Sequence, residues 1–479
     1  MRRTRTTALA ALALLNVFTL AAGLAVAHML PPRLARLYVP VAAARPVVNA
    51  TPLLAPAGAP ATDEQTTAPP TASGLAAVLG AALPSAATGS GVGIEVADAG
   101  TGQVLYSANA GTPATPASTT KVVTAVAALA TLGPDARFTT TVRQVGNTVV
   151  LVGGGDPTLA VNGYPSSDYP RPASLAQLAA GTARTLKAQG HHSVRLGYDT
   201  ALFSGPGIAQ GWTDSDIFTG NVTPIVALEA DQGRLTPGGA LEDDDDPVNF
   251  RPRTTDPAGL TAAAFAGLLA RDGITVSGTP AETGVPASAP ALASVSSPPL
   301  AAIAGQMLEE SNNVIAEDLA RHVAISLGMP ATFSGAADAD VAELRRLGIT
   351  TPISLVDGSG LSPEDAIAPE TLIRVLSLAT RTPKLRGAIT GLPVAGFSGT
   401  LSAGGSAFGG ISGTARGVVR AKTGNLATVA SLAGVVYDRS GELLLFAIMA
   451  PQVPGADQLQ QAADALDAAA AGLATCGCS

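Results

Sequence analysis

Two short lysine motifs stand far apart in a chain of 479 residues that has only four lysines. Ser118-x-x-Lys121 lies in the first third, and Lys422-Thr423-Gly424 lies near the end. Between them sits the triplet Ser311-Asn312-Asn313. In a chain so poor in lysine, chance supplies about 0.25 Ser-x-x-Lys and roughly 0.05 Lys-Thr-Gly, so the motifs read as parts of one site. That reading constrains the fold before any element is assigned, because three distant stretches must converge on one cavity.

The length is enough for about three domains. Net charge is −8, which gives no electrostatic footprint for nucleic acid. The four histidines are scattered; the pair His191-His192 would point to opposite faces of a strand, so no metal site is expected. Cys476 and Cys478 lie one residue apart, where bridge geometry is poor, so the expectation is a flexible tail over 474–479 without a structural disulfide. Residues 1–30 carry Arg2, Arg3 and Arg5 before an apolar stretch that ends near Ala25-Val26-Ala27, as a signal peptide or a retained membrane anchor would. Either places the bulk of the chain outside the cytoplasm. Residues 31–73 read as a Pro/Ala/Thr-rich linker.

From Leu75 the chain reads as folded. Gly91 to Ala97 alternates as a strand, Ala99-Gly100-Thr101-Gly102 turns it, and Gln103 to Ser107 returns. Thr115 is a candidate N-cap, with Pro116 at the first position of a helix reaching about Leu132, where Gly133-Pro134 stops it. The stretch 137–297 has a β-like texture and reads as an inserted, mainly β region. The acidic run Glu242 to Asp246 within it reads as a solvated loop. Helical periodicity returns from Leu300. Strands follow around 418–423, 428–437 and 443–449, with Asp438-Arg439-Ser440-Gly441 as a hairpin turn, before a closing Ala-rich helix over 458–473. The expected fold is α+β: a discontinuous catalytic domain, 74–136 with 298–473, whose antiparallel sheet is flanked by helices and interrupted by the insertion.

The motifs have a chemical logic. Ser118 and Lys121 share a helix face, and a serine hydroxyl is a weak nucleophile until a base takes its proton. Lys121 can serve as that base only when partly neutral. Burial would favour this, and so would Lys422, since two ammoniums about 5 Å apart repel by roughly 3 kcal/mol at an effective dielectric of about 20. The Ser311 hydroxyl can relay a proton and the Asn313 amide can hold a substrate backbone. Lys422 and Thr423 can bind a carboxylate, and Gly424 on an edge strand admits a substrate that pairs as an added strand. The N–H groups of Ser118 and Asn425 would form an oxyanion hole. Glu309-Glu310 and Glu317-Asp318 read as solvated helix residues.

These motifs, their order and the 193 positions from Ser118 to Ser311 resemble the penicillin-binding D-alanyl-D-alanine carboxypeptidase/endopeptidase family with a large insertion. Gly153-Gly154-Gly155-Asp156-Pro157-Thr158-Leu159, Asp357-Gly358-Ser359-Gly360-Leu361-Ser362 and Gly399-Thr400-Leu401 are similar to that family too. The resemblance implies a penicillin-binding/serine β-lactamase-like transpeptidase domain and no cofactor. It implies peptidoglycan stem peptides as substrate and β-lactam antibiotics as covalent inhibitors. It makes Ser118 the nucleophile, Lys121 the base, Ser311 and Asn313 the second motif, and Lys422, Thr423 and Gly424 the third. Asn425 departs from the hydroxyl residue usual after the glycine, and Asn312 from the Asp of the β-lactamase triplet. The alternatives are a serine β-lactamase, a related serine esterase and a non-catalytic wall-binding module. Of Glu317, Glu343, Glu364 and Glu370, none sits in an obvious Glu-x-x-x-Asn deacylation loop.

Overall fold

The computed structural model describes residues 70–163, 170–236, 239, 251–402 and 415–478. The leader, the linker up to residue 69 and the acidic run 242–246 lie outside them. Helix α1 (Ala72–Ala82) starts at Thr71, whose hydroxyl accepts the Gly74 N–H, and it carries Leu75 buried on its inner face. Strands β1 (Gly93–Asp98) and β2 (Val104–Ala108) form the expected hairpin, with the Asp98 carboxylate accepting the Thr101 N–H at 2.6 Å in the turn. Helix α2 (Thr120–Leu132) ends at Gly133, whose φ of +85° suits a residue without Cβ.

The insertion follows. It contains β3 (Thr139–Val145), β4 (Thr148–Val152), α3 (Leu175–Ala188), β5 (Ser193–Asp199), α4 (Pro257–Arg271), β6 (Thr275–Val276), β7 (Ala281–Glu282) and β8 (Ala291–Ser296). Its sheet runs β6-β5-β4-β3-β8, with β7 also paired to β5. The expectation of a mainly β insertion is corrected here, because α3 and α4 are full-length helices packed on that mixed sheet through Leu175, Leu178, Phe265 and Leu269. Each has a local start signal. Ser174 caps α3 by accepting the Gln177 N–H, and Asp256 caps α4 ahead of Pro257. The parallel β4–β5 pairing requires a crossover, which α3 supplies.

After the insertion come α5 (Leu300–Glu310), α6 (Asn313–Ser326), α7 (Phe333–Arg346), α8 (Pro369–Arg381), β9 (Val419–Leu426), β10 (Val429–Tyr437), β11 (Leu443–Ala450) and α9 (Leu459–Thr475). The second sheet has the order β9-β10-β11-β1-β2 and is antiparallel throughout, so the two ends of the chain share one sheet. Both of its faces are covered, which explains why β11 is apolar at nearly every position. Leu445, Ala447 and Met449 face α2, α5, α6, α7 and α8, while Leu444, Phe446 and Ile448 face α1 and α9. Helix α2 is buried from Thr120 to Ala130 and forms the axis of the larger core. Removing Leu129 to alanine there would cost about 2–5 kcal/mol.

The tail is tied down rather than frayed. Cys476 is 3% exposed, Cys476 and Cys478 form a disulfide, and the Thr71 N–H donates to the Cys478 carbonyl at 2.8 Å. The expectation of a flexible tail without a disulfide is corrected: the Cys476 and Cys478 Cα atoms lie 5.1 Å apart, close enough to be bridged across one residue.

Candidate active site

The turn that presents Ser118 differs from the expected helix start. Residues Ala117–Thr119 form a single 3₁₀ turn before α2, and Thr115 does not cap it; its hydroxyl donates to the Pro363 carbonyl. Ala117 sits at φ +48°, a region that costs a non-glycine residue of order 1 kcal/mol or more. The turn is held from two sides. The Ser431 hydroxyl donates to the Pro116 carbonyl, and Gly424 on β9 lies so near that a methyl there would stand 2.7 Å from that carbonyl and 3.1 Å from the Ser118 nitrogen.

Lys121, one turn on, is fully buried. Its Nζ donates to Ser118 Oγ at 2.9 Å, to Asn313 Oδ1 at 2.6 Å and to the Ser359 carbonyl at 2.7 Å. Asn313 opens α6. Its amide orientation is fixed because Nδ2 donates to the Asn221 carbonyl of the insertion at 2.9 Å. Asn312 caps α6 by accepting the Ile315 N–H, and its Nδ2 donates to Gln232 Oε1. Ser311 terminates α5 in the left-handed region, φ +58°, which turns its hydroxyl to accept from Lys422 Nζ at 2.8 Å. Lys422 is also fully buried and donates to the Thr423 carbonyl at 2.7 Å. Thr423 Oγ1 donates to Thr400 Oγ1, while Asn425 is exposed on the edge strand β9. The structure therefore links Ser118, Lys121 and Asn313 in one hydrogen-bonded group and Ser311, Lys422 and Thr423 in another. Gly424 packs against the Ser118 turn, next to Asn425.

The electrostatics differ from expectation in one respect. Burial, rather than the neighbouring ammonium, brings Lys121 down to about 8, and Asp357, Glu317 and Asp365 oppose the shift by favouring its charge. The repulsion is felt by Lys422, held well below the ordinary lysine range by burial and then by Lys121.

Glu317 and Asp318 are not solvated. Both are fully buried, because α6 is enclosed by α2, α5, α7 and the insertion. The Glu317 carboxyl accepts the Gly358 N–H at 3.1 Å, and burial raises it to about 8. Glu310 is partly buried and also raised, first by burial.

Residues 357–362, similar to the family in sequence, have a structural role that the motif spacing does not show. Asp357 Oδ1 accepts the N–H groups of Ser359 at 3.0 Å and Gly360 at 2.6 Å; Oδ2 accepts those of Ser362 at 2.6 Å and the Trp212 indole at 2.8 Å. An aspartate heading a Gly-Ser-Gly run was the available signal, since such side chains collect the N–H groups of the turn that follows.

A family model described as D-Ala-D-Ala carboxypeptidase 3 (S13) matches residues 75–238 and 228–473. A carboxypeptidase DacB of Mycolicibacterium smegmatis is 38% identical over 397 residues, 80% of each chain. A D-alanyl-D-alanine carboxypeptidase of Actinomadura sp. strain R39 is 31% identical over 427 residues, covering 75% of this chain and 77% of its own. The crystal structure of penicillin binding protein 4 from Haemophilus influenzae superposes with a TM-score of 0.63 at 26% identity, covering 78% of this chain and 92% of that one. The same protein complexed with a β-lactam gives a TM-score of 0.56 at 27% identity.

Proposed function

The chain belongs to the D-Ala-D-Ala carboxypeptidase 3 (S13) family of serine peptidases, and from that premise we propose that Ser118 is its acylating nucleophile and peptidoglycan stem peptides its substrate. The observation that carries this reading is the geometry at Lys121. A neutral lysine has two N–H groups and one lone pair. Asn313 Oδ1 and the Ser359 carbonyl can only accept, so they take the two N–H groups and leave the lone pair facing the Ser118 hydroxyl. That arrangement is a general base in place.

Lys121 takes the Ser118 proton as Oγ attacks the carbonyl carbon of the penultimate D-Ala. The carbonyl oxygen, becoming an anion, is received by the N–H groups of Ser118 and Asn425. The C–N bond breaks, and the leaving amine takes a proton through the Ser311 hydroxyl from Lys422. The substrate's terminal carboxylate docks at Thr423 and Lys422, supplying the counter-charge that buried Lys422 lacks. Lys121 then gives up the proton it took from Ser118, which restores the charge of Lys422; water attacks the ester carbonyl, Lys121 accepts the water's proton and passes it to Ser118 Oγ as the acyl C–O bond breaks. When the leaving amine is a terminal D-Ala the outcome is carboxypeptidase action. When it belongs to a cross-link the same acyl-enzyme gives endopeptidase action. A β-lactam acylates Ser118 by the same attack. Such a substrate places the protein outside the cytoplasm.

Fluorescent penicillin labelling of the wild type against Ser118→Ala tests the nucleophile; label persisting in the variant removes Ser118 from its role. Incubation with purified muropeptides, read by mass spectrometry, separates the outcomes. Loss of one alanine mass means carboxypeptidase action, and dimers becoming monomers means endopeptidase action. Fast nitrocefin turnover would instead identify a β-lactamase, and turnover of p-nitrophenyl esters with D-Ala–D-Ala peptides ignored would identify an esterase.

A further inference from the structure

The two acceptors that direct the Lys121 lone pair are each braced from behind by the insertion. Asn313 is one. Its amide could place either end toward Lys121, and the choice is made by the Asn221 carbonyl, which takes the Nδ2 donor at 2.9 Å and leaves the oxygen for the lysine. The Ser359–Gly360 peptide is the other. Its carbonyl accepts from Lys121, and the N–H of the same peptide plane donates to Asp357 at 2.6 Å. Asp357 is in turn oriented by the Trp212 indole N–H at 2.8 Å.

Trp212 has little freedom. It is 8% exposed, and its ring stands edge-on to Phe333 of α7 with centroids 5.1 Å apart. Gly211 beside it approaches the 357–363 loop so closely that a methyl would lie 2.9 Å from Pro363 Cδ and from Ser362 Oγ. Asn221 and Trp212 both belong to the segment that follows β5, so one stretch of the insertion serves both acceptors.

We propose that this insertion is part of the catalytic apparatus: through Asn221, and through Trp212 acting on Asp357, it fixes the direction in which Lys121 presents its base. Trp212 and Asp357 are positioning residues, since neither touches Ser118. The inference rests on the reading of Lys121 as general base. It gives the insertion a task beyond binding: the catalytic domain alone would hold Ser118 and Lys121 yet lack the brace that turns the lone pair to the hydroxyl.

The test is Trp212→Phe in the full chain, which removes one N–H donor and keeps an aromatic ring against Phe333. Acylation by fluorescent penicillin is followed across pH and normalised to the titrated fraction of active sites. The expected rate per active site is about tenfold lower, since small misplacements of a reacting group carry penalties of up to about a hundredfold. The acid limb of the profile moves to lower pH, because the charged lysine loses a well-placed acceptor. Gln210→Ala severs the exposed contact to Glu364 of the same loop and leaves rate and limb unchanged. A purely structural role for Trp212 would lower the melting temperature and the active fraction, but not the rate per site or the limb. Wild-type rate per site and an unmoved limb in Trp212→Phe overturn the proposal. If that variant does not fold, the isosteric Asp357→Asn gives the same readout, with a larger loss expected. Label retained by Ser118→Ala would instead strike the nucleophile reading, which keeps the two failures apart.

Discussion

Gly360 lies against the carbonyl of Ala117, the residue before Ser118, so closely that a methyl group on it would overlap that oxygen. Both residues occupy the left-handed region, φ +78° and +48°. Gly360 needs its missing side chain twice, for its own dihedrals and for the space that the Ser118 turn occupies. Gly360→Ala would therefore displace the Ser118 turn from Lys121. Penicillin acylation is expected to fall about a hundredfold or more, with the far-ultraviolet circular dichroism unchanged. An alanine variant that labels at the wild-type rate would mean that this contact does not set the nucleophile's place.

Ser311 accepts from Lys422 at 2.8 Å and is the hydroxyl through which a proton would reach the leaving amine. Ser311→Ala removes the relay without touching Ser118 or Lys121. Hydrolysis of a D-Ala–D-Ala peptide is expected to lose about a hundredfold in kcat with KM nearly constant, the pattern of a group needed only in the transition state. A thiolester substrate, whose leaving group departs without a proton, should lose much less. Equal losses on both substrates would argue that Ser311 serves acylation through structure alone.

Lys121 is brought down to about 8 by burial, and a base must be neutral to work. Its protonated fraction dominates below that value, so the second-order rate of penicillin acylation should climb with pH, level off above about 8 and show no acid optimum. Lys422 is also held well below the ordinary lysine range, by burial and then by Lys121, so substrate carboxylate binding should weaken as pH rises and its charge is lost. Stopped-flow acylation across pH 6–10 is the check. A flat profile would mean that Lys121 is already neutral across the range or that another group takes the proton.

The sheet shared by the two ends of the chain was legible because its strands carry their own punctuation. The turn at 99–102 and the one at 438–441 frame runs of alternating or wholly apolar residues, and these became β1, β2, β10 and β11. The candidate site was legible because the chemistry proposed for it restricts residue choice at Ser118, Lys121 and Lys422. Helix α6 was harder. Its charges at 317 and 318 look solvent-facing in a linear reading, yet Val314, Ile315, Leu319 and Val323 leave no face free once α2, α7 and the insertion close around it. Burial from several sides comes from tertiary packing, which a period of 3.6 cannot report. The insertion's helices were missed for another reason. Ser174 and Asp256-Pro257 are proper start signals, and α3 carries a legible apolar stripe through Leu175, Leu178, Ala179 and Leu186; only in α4, where Gly259 and Gly267 stand among alanines, is the stripe faint.

Asp340 on α7 offers a test of how much of the stability of this core depends on neutral carboxyls. It is fully buried, and burial foremost, with Glu343 adding, raises it from 3.8 to about 7 despite a contact with Thr124. The folded state thus keeps a proton that the unfolded chain releases near pH 4. The associated stability is complete below the unfolded value and is lost as pH rises through about 7. Between pH 5 and pH 8 this single group costs about 3 kcal/mol at most. Asp156, raised to about 6, and Glu229, raised to about 8, both first by burial, act in the same direction. Asp340→Asn is uncharged at every pH, so the variant should match or fall slightly below the wild type at pH 5 and exceed it at pH 8. Thermal unfolding at the two pH values measures this directly. The same fall in melting temperature for both proteins would show that Asp340 titrates no differently in the folded and unfolded chains.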